Sequence, residues 1–420
     1  MKTFDAVYLL KAFTASIIGL FLFVVLSSLL PQNQVQRNIE KSVQDVLPFG
    51  DYPEPMIHGR KHSLDYSMDA FTVNMIYTID PKSPLQSALL LNSRHSNGPY
   101  VSQWNQVKYN IEHKELTPNL QYPRYWHGST FFFRWFFLFG TYNDIKWLLY
   151  IASSLLMLLA GVRMAQDTSL ATAVVYLGSL FLVNSYIAQF SIQFAPVLII
   201  TLISSIALTK TSPDDLRKTS LIFLLSAVFT AFFDLLTTPL LTFGMPMMLW
   251  IQRQKNLREM TFMQSLKQPV MLGFVWLLGF SFTWISKWIL TATFTDFPIF
   301  TNVIDEFFKL SAAQEGNGLS AIVLNVNQLP LVIINSILFV MALLALFFRK
   351  RPDWNKITLT LLTSLLPFIW YVTLSHHSNV HYWFTYRMLA FTVASLFWVF
   401  LNLISEVKVH DAIAKVMKRK

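Results

Sequence analysis

Apolar runs long enough to cross a bilayer recur near residues 12–30, 145–163, 169–187, 192–209, 219–236, 238–252, 270–290, 328–348, 357–375 and 386–405. A spanning helix needs about 20 mostly apolar residues, so this pattern predicts an all-α polytopic membrane protein with about ten transmembrane helices. Asp234 and the Pro239, Gly244 and Pro246 cluster interrupt the stretch 219–252. That leaves open one broken helix with a short return in place of two spans. The first run ends in LSSLLPQNQ with no small-residue cleavage site, which reads as an uncleaved signal anchor.

The polar stretches between the runs divide the chain. Residues 1–30 form the anchor, 31–144 a large loop, 145–405 a helical bundle with a second loop at 291–327, and 406–420 a basic tail. Within the first loop, HGSTFFFRWFFLFG at 127–140 is too short to span and carries Arg134 in its middle, which predicts an interfacial helix. A second interfacial helix is expected around Ile304–Leu310.

Composition agrees with the pattern, at 54% hydrophobic and 13% charged residues. An ordinary soluble domain carries about a quarter charged residues, so that class is excluded. The 33 Lys and Arg outnumber the 23 Asp and Glu by a net +10, which in a membrane protein is first an orientation signal. Nucleic acid is therefore not an expected partner. Lys210, Arg217, Lys218, Arg253, Lys255 and Arg349 to Arg351 crowd the short loops of one side, whereas after the first loop the other side keeps Lys287, Lys309 and Arg387. Both termini are thus expected to be cytoplasmic, with both large loops outside. Without cysteine there is no disulfide or thiolate metal site, and the large loop must be held by packing.

Against this apolar background a few polar groups stand out. In LDYSMDAF, Asp65 and Asp69 are four apart and share one face of a helix, which suits a general base or a cation site; a helix cap or a solvated face is the plainer alternative. In QYPRYWHG, Arg124, Tyr125, Trp126 and His127 combine sugar-stacking rings with anion-binding groups, or form an aromatic belt. In HHSNVHYWFTYR, His376, His377, His381, Tyr386 and Arg387 gather in one short loop and the start of the last span. Zinc is disfavoured there because no HExxH-type Glu accompanies His377 and His381, whereas Arg387 just inside a helix suits an anion. Asp234 and Lys287 are charges at depth that either line a cavity or pair with each other. Asp305 and Glu306 form a divalent-cation site or ordinary helix surface, and the tail KVMKRK touches anionic lipid. Of the nine histidines only His410 falls on the cytoplasmic side.

An inside N-terminus, a long first outer loop with an early acidic pair and an interfacial helix, about ten spans and basic cytoplasmic loops resemble the GT-C membrane glycosyltransferases. The stretches LDYSMDAFTVN, RYWHGS, FFDLLTTP, WISKW and HYWFTYR are also similar to those of bacterial membrane proteins without a defined activity. The GT-C resemblance implies a polyprenyl-phosphate sugar donor and a first-loop acid, Asp65 or Asp69, as base toward a hydroxyl of a cell-envelope glycan or glycolipid. Arg387, assisted by Arg124 and His381, would neutralise the departing phosphate, with inversion at the sugar. Tyr125, Trp126, His127, Asp234, Lys287, His377 and Tyr386 would bind substrate, Asp234 and Lys287 otherwise holding the helices together, and the apolar walls between spans would hold the lipid. No cofactor is implied, and a divalent cation is left open. The chain departs from the better-known members in lacking D-x-D and W-W-D motifs and in placing its acidic pair about 35 residues beyond the first span. Two other classes compete, a transporter or flippase with Asp234, Lys287 and Arg387 along its path, and a non-catalytic assembly protein.

Overall fold

The computed structural model describes residues 4–50, 56–57, 60–61, 66–94, 102–116, 119–311, 316–405, 407–409 and 417. Helices dominate it; the described strands are two short antiparallel pairs, Met56–Ile57 with Arg60–Lys61 and Asn92–Arg94 with Leu120–Gln121. Six helical stretches are long and apolar enough to cross a membrane: Ala6–Ser28, Tyr142–Asp167, Leu216–Phe233, Phe262–Phe294, Trp354–Thr373 and Tyr382–Leu401. A seventh is added if Gly318–Val326 and Leu331–Phe347, which meet at a 75° bend, count as one. Their outer surfaces stay apolar, with Val332, Leu346 and Phe347 more than three-quarters exposed. In water such a surface would drive aggregation, and in a bilayer it faces lipid. The chain is a multi-pass membrane protein.

Three of the predicted spans coincide with shorter helices, Leu170–Leu182, Ala195–Thr209 and Leu241–Arg253. The helix is lost where the chain turns back through the protein, at 183–194 and 234–240. Asn184 and Leu236 take left-handed backbone at these breaks, with φ 54° and 64°, a conformation that ends a helix. Irregular backbone at membrane depth is tolerated only when protein covers it, and residues 234–239 of this turn are all buried. The stretch 219–252 is therefore two helices, Leu216–Phe233 and Leu241–Arg253, with a buried turn between them.

Hydrogen bonds define the two ends of the bundle. At the basic end, Arg253 donates to the Leu208 and Thr211 carbonyls at 2.6 and 2.9 Å and to Asp167 at 2.9 Å. Lys356 reaches the Gln252 carbonyl at 3.1 Å. At the other end, helices Gln32–Val46, Tyr66–Tyr77 and Gln103–Glu112 of the first loop form a layer over the bundle. Val35, Ile39, Val43, Val73, Ile76 and Trp104 of that layer share one core with Phe137, Tyr142 and Ile145. Packing does the work that disulfides do in secreted domains.

Arg134 fastens this layer. Its segment is a helix, Gly128–Phe136, too short to span, with Phe132 and Trp135 half-exposed, but Arg134 itself is fully buried. The guanidinium donates to the carbonyls of Ser27, Ile76 and Leu30 at 2.8, 2.9 and 3.1 Å and to Gln32 Oε1 at 2.6 Å. Ser27 and Ile76 lie in the last turns of two helices, whose carbonyls lack partners within the helix and carry partial negative charge. Burial lowers the Arg134 pKa to about 10, so it stays charged at neutral pH. Arg134→Leu is expected to cost about 3 kcal/mol or more, because three buried carbonyls lose their donor. Arg134→Lys restores the charge without the fork. Thermal melting in detergent and amide exchange over 32–46 and 66–77 check this; unchanged exchange in Arg134→Leu contradicts the fastening role.

Candidate functional site

The first-loop helix Tyr66–Tyr77 presents Asp69 to the turn 191–193, and the carboxylate is completely enclosed. Oδ1 accepts from Ser191 Oγ at 2.7 Å and the Gln193 amide at 3.1 Å, and Oδ2 from Tyr142 Oη at 2.5 Å and the Ile192 amide at 3.1 Å. Burial raises its pKa to about 6 although all four hydrogen bonds pull it down. The sequence offers Asp69 as a general base; the structure gives it two fully used oxygens and no exposure, which is the geometry of an anchor. Asp65 lies outside the described residues.

The 121–128 segment splits into two functions. Trp126 is buried and donates to the Thr283 carbonyl at 2.6 Å, and His127, with left-handed backbone at φ 52°, contacts the Tyr122 carbonyl at 2.9 Å. Burial and the nearby Lys287 push the His127 pKa down to about 3. Gly128 follows because a Cβ there would come within 2.3 Å of the Phe232 ring. Arg124 and Tyr125 instead face a cavity. Arg124 donates to Asn302 Oδ1 at 3.1 Å, stands 3.7 Å from Glu306, and covers the Tyr122 ring at 4.5 Å.

Asp234 and Lys287 do not pair with each other. Asp234 caps the end of Leu216–Phe233 and accepts from the Thr237 amide at 3.0 Å and from the Thr237 hydroxyl, folding the turn 234–240. Lys287 is fully buried and donates to the Ala88 and Leu89 carbonyls, both at 2.9 Å, at the end of helix Pro84–Leu90. A cation on a helix C-terminus is a favourable dock, so Lys287 holds the loop layer to the span Phe262–Phe294.

The segment 374–389 completes the junction. His377 Nε2 bonds the Leu236 carbonyl at 2.9 Å, His381 stacks on Phe384 at 5.0 Å, and Tyr386 Oη accepts from Asn184 at 3.1 Å. Burial lowers the His377 pKa to about 3 and the His381 pKa to about 4, so both rings are neutral at pH 7. Gln193 meanwhile bonds the Phe233 carbonyl at 3.1 Å. The turns 183–194 and 234–240 and the 374–389 segment are thereby laced together. Arg387 is 4% exposed at this junction, 5.6 Å from the rings of Phe194 and Tyr386. Its Nε has no acceptor, and among the described residues no carboxylate lies within ion-pair distance. An arginine so placed is open to an anion.

A cavity of about 440 Å³ opens beside helix Phe262–Phe294. Its walls include Trp276, Trp284, Trp288 and Trp370, with Arg124 and Glu306 at its polar end. These tryptophans escaped the sequence reading, although Trp276, Phe280, Trp284 and Trp288 recur every fourth residue. Such spacing aligns rings on one helix face. Gln193 carried no comparable signal, and Arg134, expected on an interfacial helix, is instead fully buried. Among the described residues no three acidic or histidine side chains gather to hold a metal ion. Compared with known protein families, curated proteins and solved structures, the chain shows no significant match.

Asp69→Asn tests the anchor. Each carboxylate oxygen accepts one backbone amide, so either orientation of Asn sets its NH₂ against an N–H; a loss of about 2–3 kcal/mol is expected. A variant that melts like wild type contradicts the anchor. His377 supplies a pH test. Its depressed folded pKa means that its stabilising share is present above the unfolded value near 6.5 and is lost as pH falls toward 3. Between pH 7 and 5 this amounts to about 2 kcal/mol. His377→Gln keeps a donor for Leu236 and removes the titration, so melting temperatures across that range should fall less steeply than in wild type; equal slopes contradict it.

Proposed function

We propose that this chain is a membrane glycosyltransferase of the GT-C type, moving a sugar from a polyprenyl-phosphate carrier to a cell-envelope polymer or glycolipid. In this reading ten spans cross a bacterial plasma membrane, both termini are cytoplasmic and the loop layer lies outside. The observation that carries the function is Arg387, a buried cation that meets no anion among the described residues.

The acceptor hydroxyl oxygen attacks the anomeric carbon, the bond from that carbon to the phosphate oxygen breaks, and the phosphate leaves with the electron pair. Negative charge on the leaving oxygen grows through the transition state. A preset donor at that point supplies about 3–4 kcal/mol, the largest single effect such a site can offer. The acceptor proton goes to a carboxylate on the opposite face of the sugar, which gives inversion. Asp69 is engaged elsewhere, so the base role falls to Asp65, the other first-loop acid of the pair. Tyr386 and neutral His381 would shape the sugar pocket beside Arg387.

The transport reading draws less support. It needs Asp234, Lys287 and Arg387 along one polar path, whereas Asp234 and Lys287 are each satisfied by backbone groups of separate segments.

Purified protein in nanodiscs, given a panel of radiolabelled polyprenyl-phosphate sugars and envelope extract, tests the proposal. Wild type should transfer label to the acceptor. Arg387→Gln should lower kcat about 100- to 1000-fold with little change in KM, and Arg387→Lys should recover part of it. Folded wild-type protein that transfers from no donor, or an Arg387→Gln variant with full kcat, contradicts it.

A further inference from the structure

Helix Leu331–Phe347 touches the bundle along one narrow flank. Ile334 is its one fully buried residue, and Leu338 and Met341 join it against the core. A second flank carries Val332, Asn335, Phe339, Ala342 and Leu346. Steps of three and four residues make this a heptad seam, the spacing at which two parallel helices interlock along a left-handed crossing of about 20°. Val332, Phe339 and Leu346 are largely exposed, Asn335 is exposed and Ala342 is half-buried.

Lipid covers the apolar members of this seam but not Asn335. Phe347 adjoins the basic run Arg349 to Arg351, and Asn335 stands about 18 Å farther along the helix, at 1.5 Å per residue. That depth is inside a hydrocarbon core of about 30 Å, away from water and headgroups. An amide there has to find its partner in protein. Other polar groups on apolar helices return to their own chain. Asn325 donates to the Ala321 carbonyl at 2.8 Å, Asn402 to the Trp398 carbonyl at 2.9 Å, and Ser336, next to Asn335, to the Val332 carbonyl at 2.8 Å. The Asn335 side chain makes no hydrogen bond with the described residues.

We propose that this seam is an interface with a second copy of the chain, closed by an Asn335–Asn335 pair across a twofold axis along the membrane normal. The amide itself selects the occupant. It carries a carbonyl acceptor and two N–H donors, so it is complementary to another of its kind. Copies inserted in one orientation meet in parallel, and a twofold axis sets each residue opposite its own counterpart at equal depth. An unrelated partner would need a polar group at that one depth on a matching seam, whereas a second copy always has it. A single polar side chain in an apolar seam also fixes the register of the pair. The interface does not depend on the transferase reading, and its test needs no substrate.

The chain has no cysteine, so single introduced cysteines report the contact without background. Full-length protein in proteoliposomes of phosphatidylcholine and phosphatidylglycerol is diluted stepwise with lipid and oxidised with copper phenanthroline. Val332→Cys and Phe339→Cys should give disulfide-linked dimers, whereas Leu344→Cys, exposed on another flank of the same helix, should stay monomeric. In the Phe339→Cys background, Asn335→Leu should let the dimer dissociate at about tenfold less lipid, and Asn335→Gln should recover part of the loss. Matching melting temperatures show that the variants are folded. A monomer at every dilution, Leu344→Cys linking as readily as Phe339→Cys, or an unmoved midpoint in Asn335→Leu overturns the proposal. So does a Phe339→Cys chain that stays monomeric in proteoliposomes and links to a different protein in its native membrane.

Discussion

A carboxylate sealed inside a membrane protein has to be met by donors, and at Asp69 that requirement organises the loop end of the bundle. Two of its donors are consecutive backbone amides, Ile192 and Gln193, so the turn they belong to cannot be drawn into the helix Ala195–Thr209 that follows. A third donor, Tyr142, begins the span Tyr142–Asp167. One side chain therefore joins the loop layer to two membrane helices. Held in this position, the turn sets Gln193 on the end of Leu216–Phe233 and Phe194 beside Arg387.

Other buried charges follow the same logic with the sign reversed. Arg134 and Lys287 lie on carbonyls at helix ends, where partial negative charge accumulates and no intrahelical donor is left. Each turns the exposed polarity of a helix terminus into a joint between the loop layer and the bundle. Arg387 departs from this rule, with aromatic faces beside it and no anion among the described residues. Aromatic rings stabilise a cation only in part.

The membrane architecture was legible in the apolar runs because lipid leaves helices little other choice. Where runs broke, length alone misled: Asn184 and Leu236 end their helices through left-handed backbone that no apolar count records. Polar groups were harder still. Spacing placed Asp69 on a helix face but could not say that the face meets amides from a segment more than 120 residues away. Likewise Lys287 and Asp234 looked like partners at depth, and only tertiary packing assigns each to its own helix end. Arg387 was legible, because a charge just inside an apolar helix start needs an explanation from outside the helix.

The most direct measurement is an experimental structure in nanodiscs with an uncleavable phosphonate analogue of a polyprenyl-phosphate sugar. The phosphonate should lie within hydrogen-bond distance of Arg387, with Asp69 still bonded to the amides of Ile192 and Gln193. A structure in which Asp69 has left that turn to face the acceptor, or in which a protein carboxylate occupies Arg387, would contradict it.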